Sequence, residues 1–224
     1  MSTIKDKILT SLFAVALAIL ILTVSIGLPI YFRPFYYMQI NPLDLPERTG
    51  FDYDTVKESY DAVLNYLTLP GYEFSTGAFA HSEEGYAHFK DCKALFNLNI
   101  ILLIISAAVI TVLTVLKKKN KFTLLRPYKM HVSFAVSTWL LGIFAFLALL
   151  VSLNFSRAFT IFHSIFFPGK TNWVFNSYTD PIIRALPQAF FRNCAILIVS
   201  SILIQTVTMI AVNLTLKKKR NNRL

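Results

Sequence analysis

The chain has 224 residues, of which 55% are hydrophobic and only 15% are charged, whereas soluble domains are about 25% charged. Its 20 Phe and 10 Tyr exclude an intrinsically disordered protein, and its two Cys exclude a disulfide-dense secreted scaffold. The net charge of +10 does not indicate nucleic-acid binding, because the Lys and Arg gather at the ends of apolar runs.

Four stretches without Asp, Glu, Lys or Arg are long enough to cross a bilayer, which takes about 20 apolar residues in a helix. They have 25, 23, 27 and 24 residues and lie at 8–32, 94–116, 130–156 and 193–216. The first stretch is longer than the apolar part of a signal peptide and ends through Pro29 and Tyr31, a poor cleavage site, so we expect a retained anchor. The sequence therefore predicts an all-α membrane protein with four transmembrane helices in a single integral membrane domain, 1–224.

The loops on the two sides of these helices differ in charge. Thirteen of the 22 Lys and Arg lie in the two terminal tails and in the loop between the second and third stretches, with only one acid, Asp6. The last cluster comprises Lys217, Lys218, Lys219, Arg220 and Arg223. Because cytoplasmic loops carry the excess of positive charge, both termini are predicted to be cytoplasmic, with the basic clusters against anionic lipid. The outer segments, 33–93 and 157–192, then form a small extracytoplasmic cap.

An amphipathic helix is predicted in the first outer segment at 54–67. Apolar residues recur there at helical spacing, and Asp54 is placed to cap the start of the helix. Pro70 and Gly71 prevent its continuation. We expect this helix to lie against the cap or the membrane surface.

A second helix is predicted to begin after Ser82 and to continue without a breaker into the second membrane helix. Ser82 is a favoured N-cap residue, and two acids follow it in the first turn. His88 lies on this helix near the outer headgroup level, with Glu84 four residues before it and Asp91 three residues after it. Both acids fall on the helix face of His88, where carboxylates are expected to raise the pKa of an imidazole and to fix its tautomer.

The second outer segment begins with an aromatic stretch that predicts a helix near the membrane interface. His163 lies among its phenylalanines, and Pro168 follows its end. Asn172 and Trp173 come next, in a loop. Asp180 directly precedes a proline, which is the pattern of an N-cap acid at the start of a further helix.

Several kinds of site are compatible with these residues. His88 and His163 are candidate acid–base residues, whereas His131, on the cytoplasmic side, is expected to be structural. No His-Glu-x-x-His, paired-Cys or Gly-x-Ser-x-Gly pattern occurs, so neither a metal site nor a serine hydrolase is expected. Cys92 and Cys194 share a depth that permits a disulfide, which spacing cannot establish, and a catalytic thiolate at Cys92 remains an alternative.

The outer segments also contain recognisable motifs. These are Ser82-Glu-Glu-Gly-Tyr-Ala-His88-Phe-Lys-Asp91-Cys92-Lys93, Phe162-His163, Phe166-Phe167-x-Gly169, Asn172-Trp173-x-Phe175, Asp180-Pro181-Ile-Ile, Leu186-Pro187 and Phe190-Phe191. In these residues the chain resembles a family of four-helix bacterial membrane proteins that includes the lipoprotein intramolecular transacylases of Gram-positive bacteria. The resemblance covers nearly the whole chain in length and helix order. Cys92 departs from the pattern, where a small aliphatic residue such as valine is expected.

The resemblance implies an acyltransferase of the bacterial cell membrane with its active site on the extracytoplasmic side. Its substrate is a diacylated lipoprotein, whose sn-2 acyl chain moves from the diacylglyceryl-cysteine to the α-amino group of that cysteine. The product is the lyso-form N-acylated lipoprotein. His88 and His163 are the residues that the resemblance implies as functional. Membrane lipid is the other expected partner, and no cofactor, metal or nucleic acid is expected.

This chemistry agrees with the residues, because an intramolecular transfer needs orientation and proton movement but no enzyme nucleophile. We hypothesise that His88 removes the amine proton, held in its tautomer by Glu84 or Asp91, and that His163 stabilises or protonates the ester side. Exchanged roles fit the sequence equally well. Three further residues are expected in supporting positions. Asn172 is an expected oxyanion donor. Trp173 is expected at the headgroup boundary and Asp180 as a helix cap.

The alternative is a non-enzymatic membrane protein, either an assembly factor or a lipid-binding accessory. The two hypotheses differ in whether His88 and His163 meet at one depth. The sequence does not predict the oligomeric state.

Overall fold

The structure is a computed structural model that describes residues 3–222, and for Tyr128 it describes the backbone alone. Its described residues form α-helices and one turn of 3-10 helix at Pro127–Lys129, without strands. Four helices are long and apolar enough to cross a membrane: α1 (Ile4–Tyr31), α5 (Glu83–Lys118), α6 (Val132–Leu153) and α9 (Gln188–Asn221). The predicted all-α class with four membrane spans is therefore confirmed. Arg223, counted above in the last basic cluster, lies outside the described residues.

The chain folds into two compact units. The first unit contains the residues up to Ile26, Ile100–Leu149 and the residues from Ile198 onward, and the second contains Gly27–Asn99 and Leu150–Leu197. Five short helices complete the element order: α2 (Pro34–Tyr37), α3 (Leu45–Thr49), α4 (Tyr53–Thr68), α7 (Phe155–Phe166) and α8 (Ile182–Ala185). All five belong to the second unit, so the non-spanning structure is concentrated there.

The first unit has an apolar core with a few polar links between helices. Its buried side chains include Phe13, Leu17, Ile21, Leu113, Leu140 and Ile202. Gln205 Nε2 donates to Ser25 Oγ at 2.9 Å. This bond gives both polar side chains a hydrogen-bond partner, which lipid chains do not provide. The loop after α5 is tied to α1 because Thr123 N donates to Asp6 Oδ1 at 2.8 Å. These bonds link the helices of the first unit to one another.

The second unit is organised around an aromatic and aliphatic core. Its most buried members include Tyr36, Ile40, Leu45, Val56, Tyr60, Val63 and Ile182. The helix predicted at 54–67 is present as α4, but its N-cap is Asp52, whose side chain accepts from Thr55 N at 2.7 Å. The predicted cap, Asp54, lies in the first turn. An N-cap residue has non-helical backbone, and Asp52 has it, with φ −72° and ψ 171°.

α5 begins where the sequence predicts and continues without interruption. Ser82 Oγ accepts a hydrogen bond from Gly85 N at 3.0 Å, as an N-cap side chain does. We take the charge-free residues 94–116 as the membrane-spanning segment of α5. His88, in the second turn, therefore lies before that segment, on the part of α5 that belongs to the second unit.

Candidate active site

Two histidines from different outer segments lie side by side in the second unit. The ring centroids of His88 and His163 are 5.8 Å apart, and the ring planes form an angle of 33°. His88 comes from the second turn of α5 and His163 from the last turn of α7. Both residues are only 6% exposed. At this separation one reacting group can contact both rings, which is the geometry that a catalytic pair requires.

Aromatic side chains surround the two imidazoles. Phe167 packs against both rings, with centroid distances of 4.9 Å to His88 and 5.7 Å to His163. Phe175 contacts His88 edge-on at 5.4 Å. Trp173, expected at the headgroup boundary, stacks on His163 at 4.5 Å with an interplanar angle of 26°. The pair is therefore enclosed in apolar surroundings that disfavour a charged imidazole.

The tautomer of His163 is set by the backbone of its own helix. His163 Nδ1 lies 2.7 Å from the carbonyl oxygen of Phe159. Since a carbonyl oxygen only accepts hydrogen bonds, Nδ1 carries the proton of the neutral ring, and Nε2 keeps its lone pair. Burial lowers the pKa of His163, and the hydrogen bond to Phe159 opposes this effect only in part. The neutral ring with a basic Nε2 is thus the favoured form at neutral pH.

His88 has a different hydrogen-bonding environment. Its Nε2 lies 3.5 Å from Cys92 Sγ, and its Nδ1 is buried without a hydrogen-bond partner in the part of the chain that the structure describes. Burial, followed by the neighbouring His163, lowers the pKa of His88 to about 4, although Asp91 acts in the opposite direction. The expectation of a raised pKa is therefore wrong. The loss of hydration outweighs the attraction of one nearby carboxylate.

The two acids expected to orient His88 do not do so. Asp91 pairs with Lys170 Nζ at 2.6 and 2.7 Å and accepts from Asn172 Nδ2 at 3.4 Å. Burial raises the pKa of Asp91, but the bonds from Lys170 and Asn172 outweigh it and hold this pKa below its ordinary value. Glu84 is exposed, and neither acid hydrogen-bonds to His88 in the described part of the chain. Sequence reasoning missed Lys170, because its partner lies in the other outer segment and no local pattern joins them.

Asn172 presents an acceptor rather than the expected oxyanion donor. Its Nδ2 donates to Asp91, and its Oδ1 is buried with no hydrogen-bond partner among the described residues. This orientation of the amide is the favourable one, because an amide oxygen facing the Asp91 carboxylate would be repelled. The geometry therefore does not favour an oxyanion-donor role for Asn172.

Asp180 joins the two outer segments instead of capping a helix. Its carboxylate accepts from Ser82 N at 2.8 Å, Ser82 Oγ at 2.8 Å and Thr179 Oγ1 at 2.7 Å. The N-cap position of α8 is Pro181, which makes no side-chain cap, so the predicted capping role is wrong. Burial acts to raise the pKa of Asp180, but the bonds from Ser82 and Thr179 hold it below its ordinary value. Gly85 permits this contact, because a Cβ there would collide with Asp180 Oδ1.

The cysteines offer neither a disulfide nor a reactive thiolate in this structure. Cys92 and Cys194, whose shared depth permits a disulfide, are both free. Burial raises the pKa of the Cys92 thiol to about 12, which disfavours the thiolate alternative. Across residues 3–222, no three His, Cys, Asp or Glu side chains form a group that could hold a metal ion.

The family model and the solved structures that are similar to this chain all belong to one family. A family model described as "Lipoprotein intramolecular transacylase Lit" matches residues 11–191. The solved structure of the membrane-integral lipoprotein intramolecular transacylase Lit from Bacillus cereus is similar, with a TM-score of 0.85 and 25% identity over 97% of this chain and 98% of that chain. Comparison with curated proteins gives no match.

Two structures of histidine variants of the Bacillus cereus protein share the fold. The variant with arginine in place of one histidine has a TM-score of 0.78 and 23% identity over 98% of this chain and 95% of that chain. The variant with alanine has a TM-score of 0.77 and 24% identity over 97% of this chain and 96% of that chain.

Proposed function

Since this chain belongs to the lipoprotein intramolecular transacylase family, we propose that it moves the sn-2 acyl chain of a diacylglyceryl-cysteine to the α-amino group of the same cysteine. The product is a lyso-form, N-acylated lipoprotein. Membership of this family makes the chain an acyltransferase rather than a non-enzymatic accessory. We assign the reaction to His88 and His163 because these two residues form a buried pair with ring centroids 5.8 Å apart.

The proposed reaction is an isomerisation within one substrate molecule. A bond forms between the amine nitrogen and the ester carbonyl carbon, and the bond from that carbon to the glycerol oxygen breaks. One proton passes from the nitrogen to the glycerol oxygen, so atoms and electrons balance without a co-substrate. Well-oriented intramolecular reactions reach effective molarities of about 10⁵–10⁸ M. The protein therefore has to hold the reacting groups together and to move one proton.

In this proposal His163 is the base. Its Nε2 has a free lone pair, because Nδ1 donates to the Phe159 carbonyl. Nε2 takes the proton from the attacking amine and returns it to the departing glycerol oxygen, so the ring ends neutral. This assignment exchanges the roles hypothesised from the sequence, which had His88 as the base.

His88 then stabilises the tetrahedral oxyanion. A thiol proton of Cys92 donated to His88 Nε2 leaves the ring proton on Nδ1, the atom without a protein partner. An N–H donor held in apolar surroundings stabilises developing negative charge more strongly than the same donor in water. Phe167 and Phe175 supply such surroundings and exclude water that would hydrolyse the ester.

We propose further that α7 lies in the outer membrane interface and brings the lipid ester to the histidines. One face of α7 is apolar and exposed, including Ile161, Phe162, Ile165 and Phe166. His163 is buried on the same helix. An amphipathic helix of this kind lies in the plane of the membrane with its apolar face towards lipid. The excess of Lys and Arg in the terminal tails and in the loop between α5 and α6 supports an extracytoplasmic position for this site.

Fragmentation mass spectrometry of a synthetic diacylated lipopeptide, incubated with the purified protein in detergent, tests the proposed reaction. Intact mass stays constant, so the fragments must show that the α-amino group became acylated. A mixture of one substrate with deuterated acyl chains and another with a ¹³C-labelled peptide tests intramolecularity. We expect no product that combines both labels. A combined-label product would contradict intramolecular transfer, and a folded protein that leaves the substrate unchanged would contradict the function.

A further inference from the structure

A cleft with a volume of about 350 Å³ lies beside the histidine pair in the second unit. It is formed by the first turn of α5 and by the loop after α7, and its lining includes Glu84, Gly85, Lys170, Asn172, Phe175 and Asp180. Phe175 also packs edge-on against His88, so the cleft and that imidazole are in contact with the same aromatic residue. Small-molecule sites have volumes of about 300–1,000 Å³, so the cleft can hold a short stretch of peptide.

Asn172, which lines the cleft, carries an unused hydrogen-bond acceptor. Its Oδ1 is buried without a hydrogen-bond partner among residues 3–222, while the amide nitrogen of the same side chain donates to Asp91. Buried polar atoms in proteins are normally hydrogen-bonded, so this oxygen calls for an N–H donor from a ligand. A peptide backbone carries such a donor at each residue other than proline.

The unbalanced charge of the cleft is negative. Lys170 is neutralised by Asp91 at 2.6 Å. Asp180 is 3% exposed and accepts two hydrogen bonds from Ser82. Glu84 is exposed and forms no ion pair within residues 3–222. A ligand with a cationic group near Glu84 therefore complements the cleft better than a ligand with an anionic group.

We propose that this cleft binds the peptide chain of the lipoprotein directly after the lipidated cysteine. The backbone N–H of a following residue donates to Asn172 Oδ1, and a cationic side chain near Glu84 is preferred over an acidic one. This inference rests on the proposed function, because only that reaction places a lipidated cysteine beside His88. The substrate has an apolar acyl portion and a polar peptide, and the polar lining of the cleft fits the peptide.

The test compares two classes of substrate with the full-length purified protein. One is the S-diacylglyceryl-cysteine amide, which lacks a peptide, and the other is a diacylated pentapeptide. Val174→Trp places a large ring at the edge of the cleft. We expect it to lower the ratio of kcat/KM for the pentapeptide to kcat/KM for the amide by about fivefold or more. Tyr178→Trp, at an 86% exposed position on the same loop outside the cleft lining, is the control and leaves this ratio unchanged.

A charge test keeps the proposal falsifiable if the tryptophan variant fails to fold. Pentapeptides with Lys or Glu after the cysteine measure the charge preference, and Glu84→Gln should reduce it by about threefold. Glu83→Gln changes the same charge in the same helix turn outside the cleft lining and leaves the preference intact. Wild-type protein that acylates both substrates, with ratios unchanged in Val174→Trp and Glu84→Gln, overturns the cleft assignment alone. Wild-type protein inactive on both overturns the proposed function as well.

Discussion

Lys170 Nζ lies 2.6 Å from Asp91 Oδ1, and this ion pair joins the loop after α7 to α5 beside His88. The two side chains are 49% and 24% exposed, so the pair itself contributes about 0–1 kcal/mol to stability. The loop that it holds carries Trp173 and Phe175, which pack on the two histidines. The importance of the pair therefore lies in positioning these rings rather than in overall stability.

Breaking this pair should affect activity more than folding. We expect Asp91→Asn to lower kcat/KM for acyl transfer by about tenfold or more, because small misplacements of a reacting geometry are costly. The melting temperature should change little. Lys170→Met should have a similar effect, and the double variant should be no worse than the single variants, since both remove one contact.

Asp61→Asn is the matched control for Asp91→Asn. It removes the charge that pairs with Arg33 and accepts from Tyr37 Oη, in the same unit and at a similar exposure of the acid, 25% against 24%. A wild-type rate in Asp91→Asn, or an equal loss of activity in Asp61→Asn, would contradict a positioning role for the Lys170 pair.

Replacement of Gly85 should destabilise the protein. A Cβ at this position collides with Asp180 Oδ1, which is held in place by Ser82. Overpacking of this kind typically costs about 1–3 kcal/mol, so Gly85→Ala should lower the melting temperature measured in detergent. Gly142→Ala, in α6, is the control, because a Cβ at this position would meet no described atom within 4 Å beyond its chain neighbours and its own helix backbone. Equal melting temperatures for the two variants would exclude the predicted collision.

The profile of kcat/KM against pH should show the ionisation of the substrate amine but no histidine ionisation with an ordinary pKa. The α-amino group has a pKa of about 7.7–8.0 and must be neutral to attack, which gives log kcat/KM a slope of +1 below that pH. Burial lowers the pKa of His163, and burial with His163 lowers the pKa of His88 to about 4. The neutral form of both rings therefore persists to a lower pH than that of an ordinary histidine, whose pKa is about 6.5. We predict that the slope remains +1 there.

The lowered pKa values of the two histidines also determine how the free energy of unfolding changes with pH. Below pH 6.5 the unfolded chain takes up protons that the folded histidines do not, so the free energy of unfolding should decrease as the pH falls towards 4. Asp91 opposes and Lys170 supports the low pKa of His88.

The rate profile has its own contradicting outcome. A slope of log kcat/KM that turns to +2 near pH 6.5 would show a histidine with an ordinary pKa.

The proposed orientation can be checked by labelling single cysteines in intact cells. In a background with Cys92→Ala and Cys194→Ala, Ala80→Cys should react with a membrane-impermeant maleimide from outside. Lys119→Cys should react only after permeabilisation, because the positive-inside rule places its loop in the cytoplasm. Ala80 and Lys119 are both exposed, so access from the proper side is not limited by burial. The reverse labelling pattern would place the histidines on the cytoplasmic side.

Local sequence patterns predicted the helices well. The start of α5 could be predicted because Ser82, two acids and an uninterrupted run act within a few residues of one another. The sequence left open whether His88 and His163 meet, and the structure brings their ring centroids to 5.8 Å. The cap of α4 was misplaced by two residues, because Asp52 and Asp54 are chemically alike and only the backbone conformation distinguishes them.

The internal arrangement of the site depends on contacts between distant segments, which spacing along one helix does not reveal. Asp91 occupies the helix face of His88, yet its partner Lys170 lies in the other outer segment. Asp180 precedes a proline like a helix cap, yet it bonds to Ser82. The aromatic surroundings of His88 likewise include Phe167 and Phe175 of the other segment.

The central claim is that His88 and His163 act together on one reacting centre. Its most direct test is kcat/KM for N-acylation by the wild type, His88→Ala, His163→Ala and the double variant, with equal melting temperatures as the folding check. His131→Ala, in the first unit, is the control histidine. We predict that each site substitution lowers kcat/KM by about 10²–10⁴-fold and that the double variant is no slower than the slower single variant. A wild-type rate in either folded single variant would contradict the account.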